Sequence, residues 1–206
     1  ESQPSVDVQQ LLTHRQVAAP PAVTGRQPLL WVSLAAHLGA RADAAPLTLK
    51  AASGSLSLED RSGRRWSAAS VQISWRSVPL EQPMALSRRV AGPFASFESA
   101  ERVALRWRAL GVAAEVAHPA DWEVWAPAGA TAPGNLLVRD WSSRLESTVE
   151  PVLQLPEGGT TLKGPLQIDA PGGLRWGKGI FQGPFRLQRD AYGSWTLVEQ
   201  VPLERY

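Results

Sequence analysis

Residues 47–58, LTLKAASGSLSL, decide the fold class. Leu47 and Leu49, then Leu56 and Leu58, stand two apart with Thr48 and Ser57 between them. That period puts each pair of leucines on one face of an extended chain, which is the pattern of a half-buried strand. Ser53-Gly54 between them is a turn signal, so the two runs read as neighbouring antiparallel strands. Working outward, Arg61-Ser62-Gly63 is a second turn before Trp66, and Val71-Gln72-Ile73-Ser74-Trp75 alternates again. On the amino-terminal side Leu30-Trp31-Val32-Ser33-Leu34 is a buried-strand candidate. Residues 29–83 are therefore expected to form a small antiparallel β unit.

The rhythm changes over residues 84–150. Val90-Ala91-Gly92-Pro93-Phe94 ends a strand candidate, and Ser96 is a good N-cap with Glu98 in the first turn behind it. Ala100, Val103, Ala104, Trp107 and Leu110 follow helical spacing, with Glu101, Arg102, Arg106 and Arg108 between them. Gly111 is placed to close the helix. Val112 to Val116 and Trp122 to Trp125 read as strands separated by His118-Pro119, giving strand–helix–strand–strand. Trp141 to Val149 fits either a short helix or an extended edge. From 151 to 206 short alternating runs return at Val152–Leu155, Leu166–Ile168, Leu174–Trp176, Phe185–Leu187 and Trp195–Val198. Turn signals at Glu157-Gly158-Gly159, Pro171-Gly172-Gly173 and Tyr192-Gly193-Ser194 separate them. Residues 1–28, polar and proline-rich around Pro20-Pro21, read as a tail or linker with one helical turn at most, from Val8 to Leu12. The expected fold class is α+β and mostly β, with two β-rich units flanking a small α/β unit.

Composition narrows the function classes. The 206 residues are 44% hydrophobic and 19% charged, ordinary for a folded chain. The net charge is +2, and the 21 basic residues are scattered, so the dense basic stripe of a nucleic-acid binder is missing. No cysteine occurs, which removes disulfides, thiol nucleophiles and cysteine metal sites together. No run of about 18 apolar residues occurs to span a membrane. The sequence opens at Glu1 with no signal-peptide pattern, and its one methionine is Met84, so a mature domain or a fragment is expected. Nine tryptophans are unusual. Each is either core filling or a flat platform on which a sugar can stack.

The last thirty residues carry a family resemblance. Phe181-Gln182-Gly183-Pro184-Phe185-Arg186-Leu187, the hairpin Asp190 to Val198, and Val201-Pro202-Leu203-Glu204-Arg205-Tyr206 resemble the SpoIID/LytB family of bacterial peptidoglycan-remodelling proteins, whose "xPLExY" segment the final six match. The run from Ser53 to Gly63 is similar to that family's "SGxLxLxDxxG" opening strands. Val90 to Phe94, Ser99-Ala100-Glu101, Leu110 to Val116 and Trp122 to Trp125 resemble one half of a SPOR domain, the sporulation-related repeat that binds glycan strands. The resemblance implies a protein of the cell envelope. This chain is then the non-catalytic, peptidoglycan-binding amino-terminal part of a longer protein that cleaves glycan strands as a lytic transglycosylase does. The implied catalytic segment follows Tyr206. Two other roles stay open: a non-catalytic activator of a wall amidase, and an envelope assembly module. Whether the full-length protein is an enzyme is likewise open.

Candidate site residues follow from chemistry. His14, His37 and His118 have no metal-ligand spacing, so neither a metal nor another cofactor is expected. Glycan cleavage uses carboxylates. Glu204 is the one acid in a recognisable motif, either at the mouth of a downstream cleft or ordering the segment that follows. Trp122 and Trp125 are glycan-stacking candidates, and their spacing puts at most one of them on a given face. Arg88 and Arg89 could hold peptide carboxylates of the wall or solvate a strand end, and Arg89 is the glycan-site candidate of the two.

Overall fold

The computed structural model describes residues 29–190 and 193–202. Readings for residues 1–28, among them the turn at Val8–Leu12 and His14, lie outside the described residues. So do Ala191 and Tyr192 of the last hairpin, and Leu203 to Tyr206 with Glu204. The described residues divide into two compact units, one of residues 29–78 and 148–202, the other of residues 79–147. Strands dominate and one helix is present among the described residues, so the class is α+β, mostly β.

The larger unit joins the two β segments that flank the middle of the chain. One sheet runs in the order β1 (Leu29–Leu38), β14 (Trp195–Pro202), β13 (Phe185–Arg189), β10 (Leu166–Asp169), β3 (Leu56–Glu59) and β4 (Arg65–Ala68). The second contains β12 (Gly179–Phe181), β11 (Leu174–Trp176), β2 (Leu47–Ala51) and the first part of β5 (Ser70–Phe94). β8 (Val138–Leu155) pairs with β5 and carries β9 (Gly158–Thr161). Registers place Leu58 opposite Ile168 and Ile168 opposite Phe185, while Leu49 lies opposite Val71 and Leu47 opposite Ile73. The leucines that alternate in the sequence thus fill one core with Leu153, Leu174, Trp195 and Leu197. Each such side chain contributes about 1.5–3 kcal/mol on burial. The strand pairings explain why neither segment folds as its own sheet: β3 has β4 on one side and the distant β10 on the other.

Gly39 shows how closely the core is packed. Its φ is +57°, and a Cβ there would fall on the indole of Trp75. Trp75 in turn donates its Nε1–H to the Ala45 carbonyl at 3.0 Å. Only a residue without a side chain lets the backbone lie across that ring.

The smaller unit holds the remainder of β5, helix α1 (Phe97–Ala109), β6 (Glu115–Ala117), β7 (Trp122–Pro127) and the start of β8. Strand–helix–strand–strand is the order expected from the sequence. The Ser96 hydroxyl caps α1 by accepting from the Ser99 N–H at 3.3 Å, and Gly111 beyond the helix has φ +78°. Ala100, Val103, Ala104 and Trp107 turn inward onto Ala91, Val116 and Val124. Leu110 departs from expectation: it is the C-cap, already past the last helical turn, and is 59% exposed. Val112 to Ala114 forms a turn and the strand begins only at Glu115. Residues 141–149 are extended, within β8.

Candidate functional site

A bulge in β5 builds the most exposed aromatic feature of the smaller unit. Ala91 pairs with Val124 and Phe94 with Trp122, so β5 spends one residue more than β7 over that step. The extra residue falls at Gly92-Pro93. Gly92 has φ +124°, and a Cβ on it would come within 2.9 Å of the Trp122 carbonyl oxygen. Glycine is what allows the two strands to close up at the start of β7.

Trp122, half-buried at that point, meets two other rings. His118, in the β6–β7 loop, stacks on it with centroids 4.2 Å apart and planes 29° from parallel. Phe97, the first residue of α1, presents an edge at 5.5 Å and 71°. Phe97 is 45% exposed and His118 is exposed as well. Phe97 sits at the surface because it directly follows the cap: the inward stripe of the helix begins only at Ala100. Three segments thus bring three rings together in an open apolar patch. Exposed Glu98 and Asp121 are its sequence neighbours. The backbone N–H of Glu98 and the Ser96 hydroxyl, with help from Arg102, hold the Glu98 carboxyl below its usual range, so it is a carboxylate at neutral pH.

The other candidates from the sequence are placed differently. Trp125 is 6% exposed. Its Nε1–H donates to Glu123 at 2.8 Å, and Glu123 also receives Arg139 at 2.6 Å. Arg88, 7% exposed, lies with its guanidinium carbon 3.7 Å from the Trp125 ring centroid and 3.9 Å from that of Trp141. A desolvated cation over an indole is worth about 2 kcal/mol or more. Arg88 therefore ties β5 to β7 and β8, and Trp125 has a face covered by that cation. Arg89 is bound to Asp140 at 3.0 Å and to the Ala130 carbonyl at 2.8 Å, so it holds the β7–β8 loop in place. Of the three residues singled out for glycan, Trp122 alone joins the open patch.

Two buried acids also act as structural anchors. Asp60, the acid of the Ser53–Gly63 run, has a fully buried carboxylate that accepts six hydrogen bonds. They come from the Ser62 N–H and hydroxyl, the Arg64 N–H, Nε and Nη2, and the Lys163 N–H. Burial by itself would raise its pKa, but the bonds from Ser62, Arg64 and Lys163 outweigh it and lower the value to about 2. Glu199 accepts from the Gln182 and Gly183 N–H groups at 3.2 and 3.0 Å, holding that turn against β14. Neither acid is presented to a substrate. Among the described residues no group of three or more metal-binding side chains occurs, and no helix is long and apolar enough to cross a membrane.

Sequence reasoning overlooked Phe97 and His118. The available signal was the position of Phe97 directly after an N-cap, where a large apolar residue lies outside the inward stripe. Compared with known families, curated proteins and solved structures, the chain has no match.

Proposed function

We propose that this chain binds peptidoglycan as the recognition part of a SpoIID/LytB-type cell-envelope protein, taking the glycan strand on the Trp122–Phe97–His118 patch. The observation behind the reading is the open ring cluster itself. The apolar face of a pyranose packs on aromatic rings, and neighbouring carboxylates accept from its hydroxyls. Glu98 and Asp121, exposed and next in sequence to Phe97 and Trp122, are the carboxylates assigned that role. The role is binding: the chain holds the glycan, and the lytic cleavage implied for the full-length protein belongs to a separate segment.

The test is a pull-down of residues 1–206 on purified sacculi, with stem peptides intact and with them removed. Retention on both preparations, weakened by the double variant Phe97→Ala/His118→Ala, is the expected result. Failure to bind either preparation would overturn the proposal.

A further inference from the structure

The larger unit carries a basic corner that neither the core nor the aromatic patch uses. It is assembled around Asp60 and Thr161. Arg64 grips Asp60 through Nη2 at 2.7 Å and reaches the Thr161 carbonyl at 2.7 Å. Arg76, from β5, donates to the Thr161 hydroxyl at 3.0 Å. The Arg61 N–H donates to the Lys163 carbonyl at 2.8 Å, and the Lys163 N–H donates to Asp60 at 3.2 Å. Three chain segments are locked together in this way, and all four cationic residues are exposed.

The charge balance at the corner is uneven. Asp60 is the single carboxylate bound into it, and Arg64 already covers that charge. Arg65 nearby is matched by Glu59 at 2.7 Å. Among the described residues, the side chains of Arg61 and Lys163 make no ion pair, and Arg76 is bound only to a hydroxyl. Arginine forks on a fixed backbone suit carboxylates. A long polyanion or an anionic membrane calls for an extended basic face, and the scattered cations of this chain do not supply one. A small ligand with a few carboxylates fits better.

We infer that Arg61, Arg76 and Lys163, set around the fixed Asp60–Arg64 pair, bind the carboxylates of a short acidic peptide, namely the stem peptide of peptidoglycan. The inference rests on the wall-binding reading and assigns the second chemical half of that polymer to a different part of the chain.

The experiment is calorimetric titration of residues 1–206 with a free stem tetrapeptide, L-Ala-γ-D-Glu-diaminopimelate-D-Ala, and with its amidated form. The acidic peptide should bind and the amidated one should not, with affinity falling as salt rises. The double variant Arg61→Gln/Lys163→Gln leaves the Asp60–Arg64 pair intact and should weaken binding about three- to tenfold. Arg61→Lys/Lys163→Arg should restore it. Equal binding of both peptides, no binding of either, or full affinity in the glutamine variant would overturn the inference. So would retention on phosphatidylglycerol vesicles with no peptide binding. Because the probe contains no sugar, failure here is distinguishable from failure of the aromatic patch, which is tested on glycan without peptides.

Discussion

Replacing Asp60 by Asn should destabilise the chain at neutral pH and matter progressively less in acid. The native carboxyl has a pKa of about 2 against an ordinary 3.8. The folded state therefore holds its proton less tightly than the unfolded chain, and the ionised form favours folding. Between those two values the contribution at pH 7 is about 2 kcal/mol. It is fully present above roughly pH 5, falls to less than half by about pH 2.5, and is nearly gone at about pH 1.5, where both states are protonated. Asn keeps one acceptor oxygen but turns an NH₂ towards Arg64 or the Lys163 N–H, which are themselves donors. The loss at pH 7 should then reach about 2–4 kcal/mol. For a chain of this length that is a fall of roughly 4–16 °C in Tm. Urea denaturation of wild type and Asp60→Asn at pH 7, 4 and 2.5 measures both parts. A difference under about 0.5 kcal/mol at pH 7, the usual range of an unremarkable surface change, would refute the reasoning. A difference that stays constant down to pH 2.5 would do the same.

Further substitutions probe the elements that position the patch. Trp107 is fully buried and donates to the Thr131 carbonyl at 2.8 Å. Trp107→Phe should cost about 1–3 kcal/mol in urea denaturation, since that carbonyl loses its donor. Arg88→Lys keeps the charge but loses the planar group between Trp125 and Trp141. A loss of about 1–2 kcal/mol is expected, with a changed indole near-ultraviolet circular dichroism signal. Gly39→Ala places a Cβ on Trp75 at a positive φ and should lower stability by about 2 kcal/mol or more, read as a shift in the urea midpoint.

The sequence made local order legible and long-range pairing much less so. Helix α1 could be read nearly to its ends because Ser96, the inward stripe and Gly111 are all local signals. Leu47, Leu49, Leu56 and Leu58 were likewise readable as core. That Leu58 lies beside Ile168, and β1 beside β14, could not be read, because period-two alternation fixes a face and not a partner. The 25-residue length of β5 was hidden by Pro79 and Pro83, which punctuate the sequence like a boundary. Both residues are exposed, and proline is tolerated in a strand where its missing N–H faces no ladder partner. At the site, Trp122 could be named from its strand. Phe97 and His118 come from a helix start and a loop, and only the fold brings them to it. Trp125 looked equivalent to Trp122 in the sequence. The difference lies in Arg88, which covers Trp125 from β5 and itself stacks on Trp141 of β8.

The central claim is that the open rings hold sugar. The most direct measurement is titration of a peptide-free N-acetylglucosamine–N-acetylmuramic acid oligomer into wild type and Phe97→Ala, followed by calorimetry. Phe97 is 45% exposed, so its truncation leaves the buried face of the helix in place. The account predicts saturable binding that Phe97→Ala weakens about tenfold, or 1.4 kcal/mol. Equal affinity for the two proteins, or no binding by the wild type, would contradict it.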